Sequence, residues 1–493
     1  MRKVALTLAA IASAAVCSAQ MRSGTITLED AVNLTMESNP TLKALEYEEK
    51  AAKRERQAAI GLFMPNISVK GAYSYLGKDV DISFNDLKGG VSNAAGELMK
   101  NPALGAILQN PQLGPIVQPI LSDLQGGLNT LLGLDWAYTL QKQSFGFIGG
   151  DVTMPIFMGG KIIAANKAAK INEKTIAEQG VQQRNALMSE IVERYFGYAL
   201  ALNVVDVRRQ VVAGVEQHLR DIQSLEKNGM VAQTERLYVE YKLAEAQREL
   251  LNSELQAETV GSALCNTLGT DSAATPVTAM FVMDAVETLE YYQRVAEDNN
   301  PLLNQVDLKR QLAKQNVNVH RADFFPQIVA MGGGTFYNYQ VTKMLPRWAV
   351  GVGFNFKIFD GLNREYKYSA AKNTMRRVEA LQTKAEKDIA ILVESIYNKM
   401  INYRNQITSI ESSIAFAEEY LRAKNAAYLE GMGTSTDLID AELNLAKVKI
   451  ERMQAAYNFD LYLAKLLEAA GISDEFMTYS RSINARQITY NKQ

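Results

Sequence analysis

The sequence predicts a mainly α-helical fold: long antiparallel coiled-coil helices, with four short strands per chain contributed to a larger β-barrel. Three observations carry that expectation. The chain repeats itself, its helical stretches bear apolar stripes on two sides, and each repeat is interrupted by two short segments alternating with period two.

The repeat comes first because it sets the boundaries. Thr27-Leu28-Glu29 recurs as Thr288-Leu289-Glu290, Asn39-Pro40 as Asn300-Pro301, and Phe63-Met64-Pro65 as Phe324-Phe325-Pro326, each 261 residues apart. Gly229 and Gly431, Glu240 and Glu442, and Gly269 and Gly471 are each 202 apart. The first copy therefore holds about 60 extra residues, which fall in 77–142. The division that follows is a leader at 1–19, a first repeat at 20–272 with that insert, a second repeat at 273–471 and a polar C-terminal tail at 472–493.

The leader, MRKVALTLAAIASAAVCSAQ, carries Arg2 and Lys3, an apolar run and Cys17-Ser18-Ala19, which reads as a secretory signal cleaved after Ala19. An uncleaved anchor needs about 18 to 20 apolar residues. Lipidation at Cys17 is disfavoured by Val16, which stands where a small residue is wanted. The mature chain then holds Cys265 alone, a helix-face thiol read as buried and inert, and no disulfide. It keeps 50 basic residues against 54 acidic ones, which gives no case for a nucleic-acid partner.

Each repeat reads in one order. A helix (28–64, 289–325) ends at a proline, two strands follow, then a very long helix (160–228, 362–430), a glycine turn and a further helix (231–268, 434–470). At 1.5 Å per residue the long helices reach roughly 100 Å, and two short ones end to end cover about the same span. In the last helix Leu438, Ala441, Leu445, Val448, Arg452, Ala455, Phe459, Tyr462 and Leu466 form one seam, interrupted only by Arg452, and Ile439, Leu443, Ala446, Ile450, Met453 and Tyr457 a second. Two seams suit either a closed cylinder of helices or a wide face in a solid bundle.

The strands are more decisive. In WAVGVGFNFKIFDG, Val350, Val352, Phe354, Phe356 and Ile358 alternate with Ala349, Gly351, Gly353, Asn355 and Lys357, the pattern of an outer-membrane barrel, and Trp348 stands where an interfacial aromatic would lie. Ile67, Val69, Gly71, Tyr73 and Tyr75 do the same in the first strand. The third, 328–339, is read with Val329, Met331, Tyr337 and Tyr339 on one face; the second, 144–157, alternates poorly. Pro65, Pro155, Pro326, Gly160 and Gly361 are expected at helix–strand junctions. Four strands leave two open edges, which lipid does not tolerate, so several copies must close one barrel. Strand physics alone allows two chains or three.

The landmarks TLEDAVNLTMESNP, FMP, PIFMGGK, KIFDGLNR, NGMVAQTE and YLEGMGTSTDLIDAE, in this order over about residues 25–471, resemble the TolC-type outer-membrane efflux protein family. The resemblance implies a homotrimer: a twelve-stranded barrel set in outer-membrane lipid and continued by a twelve-helix tunnel across the periplasm. It also implies a periplasmic adaptor and an inner-membrane pump of RND, ABC or MFS type. By the same resemblance Asp437 and Asp440 match the paired aspartates that ring the constriction, and six carboxylates in a narrow neck favour cations. The turns with Gly229, Met230, Val231 and Ala232, and with Gly431, Met432, Gly433 and Thr434, become adaptor contacts, the two leading glycines also fitting helix C-caps. The 77–142 insert departs from the family's usual short loop, and its apolar runs at 104–108 and 128–134 suggest packing at the cell-surface mouth.

An enzyme is not expected, nor a metal or other cofactor. His218 and His320 lack metal-ligand spacing, the MGGK at 158–161 lacks the upstream glycine of a phosphate loop, and Gly332-Gly333-Gly334 reads as a packing device inside a strand. The competing reading is a soluble periplasmic coiled-coil scaffold or adaptor.

Overall fold

The computed structural model describes residues 24–83, 120, 137–271, 274–341 and 346–489. The leader with Cys17 and the apolar runs of the insert lie outside the described residues. In chain order the elements are β1 (Thr25–Ile26), α1 (Leu28–Ser38), α2 (Pro40–Gly61), β2 (Asn66–Tyr75), β3 (Val80–Ser83), β4 (Ala137–Gln141), β5 (Ser144–Met158), α3 (Lys161–Lys227), α4 (Gln233–Leu268), β6 (Thr275–Pro276), β7 (Met280–Met283), α5 (Leu289–Asn299), α6 (Pro301–Ala322), β8 (Gln327–Tyr339), β9 (Trp348–Asn355), α7 (Asn363–Leu429), α8 (Ser435–Ala470), a 3-10 turn (Ser473–Glu475), α9 (Phe476–Ser480) and β10 (Ala485–Ile488).

The duplication is legible in element lengths. The long helices α3 and α7 both have 67 residues, and α4 and α8 both have 36. The single helix expected at 28–64 and at 289–325 is instead a pair of 11 and 22 residues in each repeat. Proline is the cause. It cannot donate to the preceding turn and it drives the residue before it out of the helical region, so Asn39 and Asn300 adopt ψ of 123° and 118°. Each asparagine then caps the second helix, Asn39 Oδ1 accepting from Thr41 N at 2.8 Å and Asn300 Oδ1 from Leu302 N at 2.9 Å. Both second helices also end in a short turn before Pro65 and Pro326 rather than at the proline itself.

The chain divides into two compact units, one of residues 55–169 and 314–373, the other of residues up to 54, 170–313 and from 374 on. The first holds a four-stranded antiparallel sheet in the order β2-β5-β8-β9. The weakly alternating second strand is thus 15 residues long and central. Its β5–β8 ladder shifts register twice. Tyr337 lies opposite Ile148 and Thr335 opposite Gly149, so Phe336 is the extra residue of a bulge. A bulge reverses the parity of everything beyond it, which overturns the expected common face of the third strand: Val329 and Met331 lie opposite in sense to Tyr337 and Tyr339. The second shift is beside Pro155, which therefore sits inside β5 and not at its junction with the helix. β9 is also shorter than expected, since Phe356 and Ile358 fall beyond Asn355.

The glycine run of β8 is a close-packing device. A side chain at Gly334 would come within 2.8 Å of the Arg347 carbonyl, and one at Gly332 within 3.1 Å of Val350.

In the second unit α3 packs on α4 through Arg209–Glu254 (3.2 Å) and Arg236–Glu226 (2.8 Å), and on α8 through Ser189 Oγ donating to the Ala464 carbonyl at 3.3 Å. α8 packs on α7 as well, where Tyr403 and Tyr462 stack with centroids 5.5 Å apart. α3 and α8 thus each use two faces, as the paired stripes require. Ala441, Val448, Ala455, Phe459 and Leu466 of the first stripe are buried, and Arg452, its interruption, donates to the Thr489 carbonyl at 2.7 Å. The C-terminal residues are more than a polar tail: β10 pairs antiparallel with the fully buried β7, and Phe476 is buried in the same core. Tyr195 of α3 closes that region, its hydroxyl donating to the Ile26 carbonyl at 2.8 Å and accepting from the Val277 and Thr278 amides.

Candidate functional site

Two regions carry the functional expectations. The first is the sheet. Following the register across the four strands, Ile67, Val69, Tyr73 and Tyr75 share a face with Ile148, Val152 and Met154, with Phe336, Tyr337 and Tyr339, and with Trp348, Val350, Val352 and Phe354. All of these side chains are exposed, Phe354 to 79%. A hydrophobic surface on this scale is not a stable boundary with water. The other face is mixed: it carries Ser68, Lys70, Asp151, Thr153, Gly351 and Gly353, and with them Phe147, Val329 and Met331. There Lys70 and Asp151 pair at 3.2 Å, and Ser68 donates to Asp151 at 2.6 Å. One face of exposed apolar side chains and another that holds the charged ones, with β2 and β9 as the outer strands, is the pattern of a lipid-facing barrel wall with a wet lumen. Trp348 opens β9 and is exposed. Gly160 and Gly361 occupy the turns into α3 and α7 with φ of +91° and +72°, where a β-carbon would be strained. Among the described residues no helix is both long and apolar enough to cross a membrane.

The second region is the pair of turns joining α3 to α4 and α7 to α8. Gly229 and Gly431 take φ of +71° and +75°, and the Met230 and Met432 amides reach back to the Leu225 and Ala427 carbonyls at 2.9 Å, closing both helices in the same way. Met230 and Met432 are exposed at the two tips. Val231 is half-buried, Ala232 exposed, and Gly433 accommodates the Tyr428 amide, 3.0 Å from where its β-carbon would be. The two turns differ in their caps. Ala232 supplies no side-chain cap, whereas Thr434 accepts from the Asp437 amide at 3.2 Å and donates to its carboxylate at 3.0 Å.

Asp437 is also paired with Lys424 of α7 at 3.2 Å, so the Thr434 hydroxyl first and Lys424 second hold its carboxyl below the usual range. Asp440, one turn on, is exposed, and its charge reaches Lys242 of α4. The two carboxylates are thus not equivalent: one serves the helix cap, and the other faces water. Sequence reasoning missed Lys424, which stands 13 residues from its partner with no motif to mark it. It also missed the buried setting of His218, which meets Tyr428 edge-on at 4.8 Å. Burial pushes that imidazole below its ordinary value, with Asp221 and Glu235 acting against it.

A sheet with one face of exposed apolar side chains, carried in the same chain as long paired helices, is the combination that the resemblance to TolC-type outer-membrane efflux proteins implies. Comparisons agree. Residues 293–472 match the sequence model of the family described as outer membrane efflux protein. Outer membrane protein TolC of Escherichia coli (strain K12) is 22% identical over 371 residues, 70% of this chain and 74% of that protein. The outer membrane channel CmeC of Campylobacter jejuni superposes with a TM-score of 0.68 at 14% identity, covering 92% of this chain and 89% of that one. The open state of the outer membrane channel MtrE of Neisseria gonorrhoeae gives 0.68 at 15% identity, covering 90% and 89%. The chain has the TolC fold, and its second repeat matches the family model described as outer membrane efflux protein.

Proposed function

We propose that three copies of this chain form an outer-membrane exit duct, serving a tripartite efflux pump or a type I secretion system. The observation that carries this is the sheet: four strands, one face of bare apolar side chains, and on each of β2 and β9 an edge that no strand among the described residues pairs. In lipid each unsatisfied backbone group costs several kcal/mol, so the edges must pair with those of neighbouring copies. Three copies supply twelve strands. The helical hairpins then line a tunnel below, closed at rest near Asp437 and Asp440, and the tips around Met230 and Met432 receive a periplasmic adaptor linked to an inner-membrane pump. Engagement of the adaptor biases the packed helices towards an open arrangement.

The competing scaffold reading would leave the apolar face against water, which argues against it. The test uses the full-length protein in outer-membrane fractions and planar bilayers. Expected are heat-modifiable trimers, disulfide crosslinking between copies with cysteines on β2 and β9, and steady conductance. A mature protein that stays monomeric in plain buffer and conducts nothing overturns the reading. For the gate, Asp437→Asn with Asp440→Asn lowers cation preference; an unchanged preference removes these two residues from the constriction.

A further inference from the structure

The internal repeat exposes a carboxyl group that one copy neutralises and the other does not. In the first hairpin Glu240 accepts from Arg236 at 2.6 Å, and Arg236 also bonds Glu226 at 2.8 Å. At the 202-residue offset these three positions become Glu442, Leu438 and Tyr428. The second hairpin therefore keeps the acid and loses its cation.

Glu442 is turned instead towards α3. Its carboxyl lies against Gly214: a β-carbon there would stand 1.9 Å from one carboxyl oxygen and 2.9 Å from the other. Glycine is the poorest ordinary helix former, yet this one is deep within a 67-residue helix. The missing side chain is what makes room for the acid. Burial alone acts on the Glu442 carboxyl, pushing it up to about 7.

The charged and titratable groups on the packed helices of this stretch are engaged elsewhere. On α4, Arg236 bonds Glu240 and Glu226, and Lys242 bonds Glu245. On α7, Lys424 bonds Asp437, and Tyr428 meets His218. On α3, His218 lies one turn beyond Gly214 and Asp221 beyond that, and on α8 itself Asp440 is exposed. None of these contributes to the titration of Glu442.

We propose that Glu442 is a proton-binding site that couples the seam between α3 and α8 to pH. Protonated, the carboxyl sits neutral against Gly214 and the two helices pack closely. Ionised, its proton released to bulk water, it leaves that seat and loosens the seam, so the periplasmic end opens more readily as pH rises. Because the folded carboxyl binds its proton more tightly than it would in the unfolded chain, the packing is strongest in acid and is lost as pH rises through about 7. The opening part rests on the channel function proposed above; the packing part does not.

Hydrogen exchange on the full-length protein in detergent micelles tests it. Deuterium uptake over 435–450 is compared between the wild type and Glu442→Gln at the same pH, so that intrinsic exchange cancels. The two are expected to lie nearest at about pH 4.5, the ordinary carboxyl value, and to differ by at least tenfold at about pH 8.5, the wild type faster, one pH unit of linkage being worth a factor of ten. Gly214→Ala, which evicts the carboxyl while favouring the helix, is expected to remove the difference when combined with either residue at 442. Leu438→Arg, which restores the partner present in the first hairpin, is expected to hold Glu442 ionised and flatten the response. Equal uptake of wild type and Glu442→Gln at about pH 8.5 overturns the proposal. Open probability in planar bilayers is read in parallel: a pH step in uptake without conductance in any variant leaves the proton site standing and removes the channel, whereas conductance without a step removes the proton site.

Discussion

Lys424, in the last turns of α7, and Asp437, in the first turn of α8, approach to 3.2 Å across the turn formed by residues 430–434. The first repeat has Ile222 and Glu235 at these positions, so the ion pair belongs to one hairpin only. It ties together the adjoining ends of α7 and α8, next to the gate proposed above.

Replacing Lys424 by methionine is therefore expected to raise residual closed-state conductance at low ionic strength, with the difference fading in about 1 M salt, where charges are screened within roughly 3 Å. Asp437 is held below its usual range, so its contribution is present at neutral pH and is lost as pH falls through the folded value. The wild type should then approach the variant in acid. Bilayer recordings at two salt concentrations and two pH values check both statements.

The unequal caps give a second expectation. Thr434→Ala should cost about 1 kcal/mol of stability at the start of α8, the usual loss for an N-cap hydroxyl. Ala232→Thr should stabilise the start of α4 by a similar amount, because no side chain caps it now. Amide exchange of the first turn of each helix provides the measurement.

Asp460 of α8 is fully buried, with one oxygen accepting from the Phe281 amide at 3.2 Å and the other without a partner among the described residues. Burial holds its carboxyl well above the ordinary value, and the Phe281 amide opposes this only in part. Its raised affinity for a proton means that it favours the folded state in acid and that this contribution is lost as pH rises. Asp460→Asn keeps the acceptor and removes the titration. Stability should rise at alkaline pH, where the raised proton affinity of the carboxyl works against the folded state, and change little in acid. Denaturant titration at two pH values settles the sign.

On the sheet, side-chain parity decides what a charge does. Val350→Arg falls on the exposed apolar face and should cost about 2 to 4 kcal/mol on folding into bilayers. Ala349→Lys, one residue earlier, points to the face that already carries Lys70 and should be tolerated. Folding yield into lipid vesicles separates the two.

The amino-acid sequence by itself determined the plan: the duplication, the long helices, the glycine-closed tips and the apolar parity of β2 and β9 all follow from local spacing and turn chemistry. These features are short-range, and the chain writes them wherever the backbone has one favourable answer. Tertiary structure alone decided which residues meet. Phe336 becomes a bulge because β8 must match β5, a strand far away in sequence, and its neighbours change faces as a result. Lys424 finds Asp437, and Glu442 finds Gly214, because helices that are distant or folded back on themselves come to lie side by side. Pairings of this kind depend on register between separate elements, which periodicity within any one element does not encode.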